Sequence, residues 1–305
     1  MSDETILFVL GAGASAPFGF PTGADLRDSI IAGLESSDAS LRRNLLELGY
    51  EDGQVDDFRD RFQRSTVGTI DQFLEHNVDH LSIGRSAMAV ELVRREDASR
   101  LFEKVRGNWY ALLAQQVFGQ RSHLENSRVG FVTFNYDRSL EHFLFTSLKY
   151  RYDLDEDEAA SFVNSMSIDH VYGKLGSLPW ERPGPHEAPS NCFRQYSVQA
   201  TLEEIANCAS CLHLIHDSQA ASKPLKHIAY HLGSYDAIHF LGFGYDPMNL
   251  KRIGITSNVI MKTLFGSAFG LGSQSIARIE EEFHIKLDSG RVPVYEYLQN
   301  VVGWG

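Results

Sequence analysis

Cysteine is scarce in this chain, at three in 305 residues, an odd number that supplies no disulfide framework. Proline is sparse at nine, and Pro179, Pro183, Pro185 and Pro189 crowd into 177–197, which therefore reads as one long irregular loop. No stretch approaches the ~20 apolar residues of a membrane span. The apolar run near the N-terminus is short and ends in glycines, so no secretory leader is expected. Basic charge is in deficit: 28 Lys and Arg stand against 40 Asp and Glu, giving a net −12 at pH 7. That balance, with no Lys/Arg cluster, argues against a broad nucleic-acid-binding surface. The expected compartment is the reducing cytoplasm.

What the chain does have is ordinary globular material, 43% hydrophobic and 22% charged, in a length suited to one large α/β domain or two small ones. Ile6–Leu10 is a continuous apolar run of strand length that empties into Gly11-Ala12-Gly13-Ala14-Ser15. Past Pro21, Thr22 is placed to cap a helix through about Leu34, with Leu26, Ile30 and Ile31 on one face. From Leu41 to about Phe118 the pattern is helical, with Thr69–Leu74 opening one segment. Leu101, Val105, Trp109, Leu112 and Gln116 mark the seam of a longer one. Residues from about 36 to 125 thus form a helical insertion between two strands.

Val129–Phe134 is the second strand and Ser139–Leu148 the helix after it. Ile168–Tyr172 is short and β-rich, Leu202–Ala209 helical, Leu212–Ile215 a possible strand and Ala237–Leu241 a clear one. Ser273–Phe283 reads as a helix and Val292–Leu298 as a closing strand. The acidic run from Asp153 to Glu158 is a solvated loop or helix start rather than a metal site. Strands alternating with helices predict a doubly wound parallel sheet.

Four strand ends carry polar chemistry, and ligands of open α/β sheets bind at the carboxyl ends of the strands. Glycines after the first strand let the backbone approach a phosphate, or merely turn the chain. The dinucleotide fingerprint wants a third glycine, where Ala16 stands, and a second strand ending in an acidic residue ~20 residues on. Here that region reads as helix, which disfavours an ordinary dehydrogenase. Asn135 and Asp137, just past the second strand, suit either helix capping or a pocket. His170 is either a core histidine or a pocket residue on the same strand face as Tyr172. Cys208-x-x-Cys211, with His213 and His216 near in sequence and Cys192 isolated, could ligate zinc. Ordinary buried cysteines are the preferred reading, and no metal is expected.

Taken together, Gly11–Ser15 with Gly19-Phe20-Pro21-Thr22, Thr69–Leu74, Thr133-Phe134-Asn135-Tyr136-Asp137, His170–Gly173 with Leu175-Gly176, and Leu241–Asp246 resemble the sirtuin-like proteins. The resemblance is to their prokaryotic NAD-hydrolysing branch, found in anti-phage defence, and it spans nearly the whole chain. It implies a Rossmann-like doubly wound sheet in a single catalytic domain over 1–305, with the helical insertion already described. Gly11, Ala12, Gly13 and Ser15 would wrap the pyrophosphate of NAD. Asn135 would hold the nicotinamide-side ribose, and Asp137 would help fix that ribose or the carboxamide. Gly242 and Gly244 would approach the adenosine half, and Pro21, Thr133, Tyr172 and Tyr245 would complete the cofactor pocket. His170 would contact the ribose or act as general base, because Tyr172 occupies the place before glycine where the family has its histidine.

Protein-deacetylating sirtuins carry two CxxC pairs, and this chain lacks the second. Without that zinc module water is the expected acceptor, and the activity implied is NAD⁺ glycohydrolysis by a toxic effector. Such an activity must be gated, by self-assembly into a homo-oligomer or by a partner protein such as a nucleic-acid-acting ATPase. The alternatives are a mono-ADP-ribosyltransferase or deacylase using the same site, and a non-enzymatic NAD- or ADP-ribose-binding assembly module.

Overall fold

The computed structural model describes residues 5–36, 40–104, 106–118, 129–182, 192–213, 228–255 and 263–302. Six strands form one all-parallel sheet: β1 (Ile6–Leu10), β2 (Val129–Thr133), β3 (Ile168–His170), β4 (Ala237–Leu241), β5 (Thr263–Gly266) and β6 (Ile285–Leu287). Their order across the sheet is β3-β2-β1-β4-β5-β6. Every residue of β1, β2 and β4 is buried. Helices cover both faces, which is why these strands read as unbroken apolar runs rather than alternating ones.

Alternation reappears in where the side chains go. Ile6, Phe8, Leu10 and Phe131 point into one core, and Leu7, Val9, Val132, Ile238 and Phe240 into the other. The first core is shared with the helices between β1 and β2. These are α1 (Ala12–Ser15), α2 (Gly23–Glu35), α3 (Ser40–Glu47), α4 (Asp52–Arg64), α5 (Ile70–His76), α6 (Leu81–Val93), α7 (Ala98–Phe102) and α8 (Trp109–Val117). The helical insertion therefore has no core separate from that face of the sheet. Thr22 caps α2 in a reciprocal capping box with Asp25, and Thr69 caps α5.

After β2 come α9 (Ser139–Tyr152) and α10 (Glu156–Ser165), and after β3 comes α11 (Leu202–Ser210). The acidic run is a helix start: Asp155 caps α10 and Glu156, Asp157 and Glu158 fill its first turn, where a helix dipole favours negative charge. The C-terminal third holds α12 (Pro247–Arg252), α13 (Ser273–Phe283) and α14 (Val294–Asn300).

Three expectations change. Val292–Leu298 is not a strand; Pro293 precedes α14, which buries Val294, Tyr297 and Leu298 at helical spacing, and β5 and β6 close the sheet instead. The seam from Leu101 to Gln116 is two helices, because Gly107 sits at φ +84° and Asn108 caps α8. Leu212 makes an isolated bridge with Gly173 rather than opening a named strand. The remainder of that stretch, His216, and residues 183–191 of the Pro-rich loop lie outside the described residues.

The switch in winding falls between β1 and β4, where consecutive connections leave toward opposite edges of the sheet. In doubly wound sheets a crevice opens there, at the carboxyl ends of the strands. Among the described residues no helix is long and apolar enough to cross a membrane.

Candidate functional site

At the switch point the turn after β1 and the turn after β4 touch backbone to backbone. Gly11 N donates to Leu241 O at 3.0 Å and Gly13 N to Gly242 O at 2.9 Å. A Cβ on Gly11 would stand 2.6 Å from Gly242 O, and one on Gly13 2.9 Å from the same oxygen. Gly242 has φ +56°, and its missing side chain faces the backbone of Gly13 and Ala14. These three glycines are thus required by the close crossing of two protein segments. Gly244 differs: among the described residues no atom beyond its chain neighbours lies within 4 Å of where its Cβ would be, and its φ is not positive. Gly244 is exposed, and neither packing against the described residues nor conformation demands glycine there.

Ala12 begins α1. Trp109 fixes that short helix by donating its indole N–H to Ala14 O at 2.7 Å. Ser15 and Thr133 are buried. Pro21 stands just before the Thr22 cap of α2.

Asn135 is the hub. The sheet ladder ends at Thr133, paired with Leu10, and the next peptides need other partners. Asn135 N donates to Thr133 Oγ1 at 3.0 Å. Its side-chain Nδ2 donates to Gly11 O at 3.0 Å and to Ser15 Oγ at 2.9 Å. The carbonyl of Gly11 can only accept, which sets the amide's orientation. Oδ1 takes no hydrogen bond from the described residues and is the group left for a ligand.

Asp137 is buried and accepts from Ser139 N at 3.1 Å and from the Ser139 hydroxyl, so it secures the start of α9. Burial pushes its carboxyl pKa up, against hydrogen bonds from Ser139 and Ser15 that lower it. His170 lies on the other side of the Asn135 backbone. Its Nδ1 is 2.9 Å from Asn135 O and its Nε2 2.7 Å from Glu141 Oε1, with side-chain exposures of 2% and 3% for His170 and Glu141.

Tyr172 projects elsewhere. Its hydroxyl donates to Asn249 Oδ1 at 2.5 Å, receives a hydrogen bond from Arg252, and its ring meets Phe134 edge-on at 5.7 Å. Burial pushes its phenol up to about 12 despite Arg252, so it stays protonated at neutral pH. Beside it Tyr136 donates to Asp71 at 2.5 Å, whose carboxyl pKa burial raises. Tyr245 turns its side chain into the second core and donates to Ser267 O at 2.9 Å.

The structure therefore unites Gly11, Gly13, Ser15, Thr133, Asn135, Asp137, His170 and Gly242 in one hydrogen-bonded assembly. Tyr172 joins a neighbouring cluster from α5 and α12, and Tyr245 is held beneath. Sequence reasoning passed over Glu141, Asn249 and Arg252, and quoted Asp71 within Thr69–Leu74 without giving it a role. Of the three passed over, Glu141 left a signal, as a carboxylate among Leu144, Phe145 and Leu148 on a buried face of α9. Cys192 and Cys208 approach to 3.7 Å, and among the described residues no group of three or more His, Cys, Asp or Glu is arranged to hold a metal ion. The fold and the site together define a doubly wound α/β protein with polar groups converging at its switch point. Comparison with protein-family models and with curated protein sequences returns no match.

Proposed function

We propose that the protein is an NAD⁺ glycohydrolase, releasing nicotinamide and ADP-ribose. The observation that carries this reading is Asn135, held at both ends of its peptide and at its side-chain nitrogen, with Oδ1 left to receive a hydrogen bond at the switch point. A hydroxyl of the nicotinamide ribose, or a water beside it, supplies such a donor. Gly244, exposed and uncrowded by the described residues, leaves room for the adenosine half along the end of β4.

Hydrolysis breaks the bond between ribose C1′ and the nicotinamide nitrogen. The bonding pair leaves with the ring and cancels its positive charge, and water adds to C1′ and then gives up a proton. Because the leaving group is already cationic, the protein needs chiefly orientation and electrostatic complementarity to an oxocarbenium-like state. The resemblance to defence-associated sirtuin-like proteins supports a gated toxic effector, with homo-oligomerisation or a partner such as a nucleic-acid-acting ATPase as trigger.

The test is incubation of the purified chain with NAD⁺, with and without an acylated peptide, following nicotinamide. Release that needs no peptide, and is lost in Asn135→Ala, is the expected result. Release only with peptide present would make the protein a deacylase. NAD⁺ bound but left intact, even in cells that also express the chain's genomic neighbours, would make it an assembly module.

A further inference from the structure

Every ring nitrogen of His170 faces an oxygen that accepts. Nδ1 stands 2.9 Å from the backbone carbonyl of Asn135, which has no proton to give, so Nδ1 carries a hydrogen. Nε2 stands 2.7 Å from Glu141 Oε1. Either the ring is doubly protonated beside a carboxylate, or Glu141 itself holds the second proton.

The surroundings decide between them. Lys174 Nζ, from the loop after β3, lies 3.6 Å from the same Glu141 oxygen and 3.1 Å from Glu181 Oε1. The carboxyls of Asp137, at the head of α9, and of Glu181, both raised by burial, are like-charged neighbours that work against a Glu141 anion. Burial pushes the Glu141 carboxyl up, but His170 and then Lys174 outweigh it and hold it below the usual carboxylate range. Glu141 Oε2 is buried and takes no hydrogen bond from the described residues, so the neighbouring cations His170 and Lys174 chiefly hold the anion. A neutral imidazole would remove the closer one.

We propose that Glu141 and His170 form a fixed ion pair that clamps the carbonyl of Asn135, making both of them positioning residues and leaving His170 no site at which to accept a proton. The clamp completes the restraint of Asn135: Thr133 holds its N–H, His170 its C=O, and Gly11 and Ser15 its side-chain nitrogen. Oδ1 is thereby aimed in advance, and such preorganisation is where a reaction with a cationic leaving group gains most. The catalytic part of this inference rests on the NAD⁺ reading; the ion pair does not.

The experiment uses the full chain with ¹⁵N- and ¹³C-labelled histidine and asparagine, assigned with His170→Gln. Both His170 ring nitrogens should show protonated shifts from pH 6 to 8.5, and the Asn135 carbonyl shift should move in His170→Gln. Nicotinamide release by the wild type should be flat with pH through the ordinary histidine range of about 6.5. Glu141→Gln, whose amide can donate to a neutral Nε2, should let the ring titrate in that range. It should also introduce a pH limb into the rate and lower kcat by about 10²-fold, with little change in KM. A ring carrying one proton at pH 7 in the wild type would overturn the proposal. So would a wild-type rate that climbs between pH 6 and 7 and loses that climb in His170→Gln. If the wild type releases no nicotinamide at any pH, the NAD⁺ reading fails, and the ring and carbonyl shifts alone still decide the clamp.

Discussion

The side chain of Asn135 reaches back to the carbonyl of Gly11 at 3.0 Å, tying the end of β2 to the turn that leaves β1. One residue thus serves as a structural link and, in the proposed reading, as the group offered to a ligand. Asn135→Ala removes two side-chain hydrogen bonds from a buried site. It should cost about 1–3 kcal/mol of stability while leaving a folded protein, and it should abolish nicotinamide release. Melting curves and turnover, the latter measured well below the midpoint, check the two effects separately. A folded variant with wild-type turnover would leave Asn135 as a link alone.

The glycines at the switch point should divide into two classes. Gly13→Val places a side chain against Gly242 O, which a Cβ alone already approaches to 2.9 Å, so the variant should fail to fold or melt far below the wild type. Gly244→Val adds a side chain to open space and should melt like the wild type. The same variant should bind a non-hydrolysable NAD analogue at least tenfold more weakly by calorimetric titration. Undiminished affinity in Gly244→Val would show that the cofactor does not pass this glycine.

Much of the fold is legible in local sequence. β1, β2 and β4 stand out because strands buried on both faces are apolar throughout, and α2 and α5 because Thr22 and Thr69 cap them. The edge of the sheet was harder to read: β5 and β6 have four and three residues, too few for a period to register. Tyr295 and Tyr297 gave α14 the alternating aromatics of a strand, and only the burial of Val294, Tyr297 and Leu298 together reveals the helix. At the site, Asn135 and the glycines announce themselves as residue types. The partnership of His170 with Glu141, 29 positions apart, exists only after β2, β3 and α9 have packed. The fate of Gly11 and Gly13 was hidden for the same reason, since a segment more than 200 residues away fills the space beside them.

Beneath the site lies a buried charge cluster whose loss should be severe. Arg138 contacts both carboxylate oxygens of Glu96, at 2.8 and 2.6 Å, and Arg194 donates to the same carboxylate. All three side chains are at most 1% exposed. Arg138 also donates to the carbonyls of Ser177, Arg194 and Gln195, so the cluster fastens the irregular segment after β3 to the end of α6. Glu96→Gln leaves two buried guanidinium groups without an anion and should cost about 3–5 kcal/mol. Urea unfolding measures this directly. A loss under 1 kcal/mol would mean that water or another carboxylate replaces Glu96.

Two histidines set the response of the fold to mild acid. His239, in the middle of β4, accepts from or donates to Tyr297 at 2.9 Å, and burial lowers its pKa to about 4. His142, stacked on Tyr196 with ring centroids 4.5 Å apart, is lowered to about 4 by burial and then by Arg138. Both are neutral in the native state at pH 5.5, whereas in the unfolded chain they titrate near 6.5. Through these two rings the unfolded state binds more protons as pH falls below 6.5, and their contribution to stability falls with it down to about pH 4. The buried carboxyls of Asp71, Glu91, Asp137 and Glu181, raised by burial, act in the opposite sense. Two such groups set a limiting slope of about 2.7 kcal/mol per pH unit. Unfolding free energies measured between pH 6.5 and 5 should fall toward that slope, and His142→Gln should reduce it by about half. A stability unchanged over this interval would mean that these rings take up protons without unfolding.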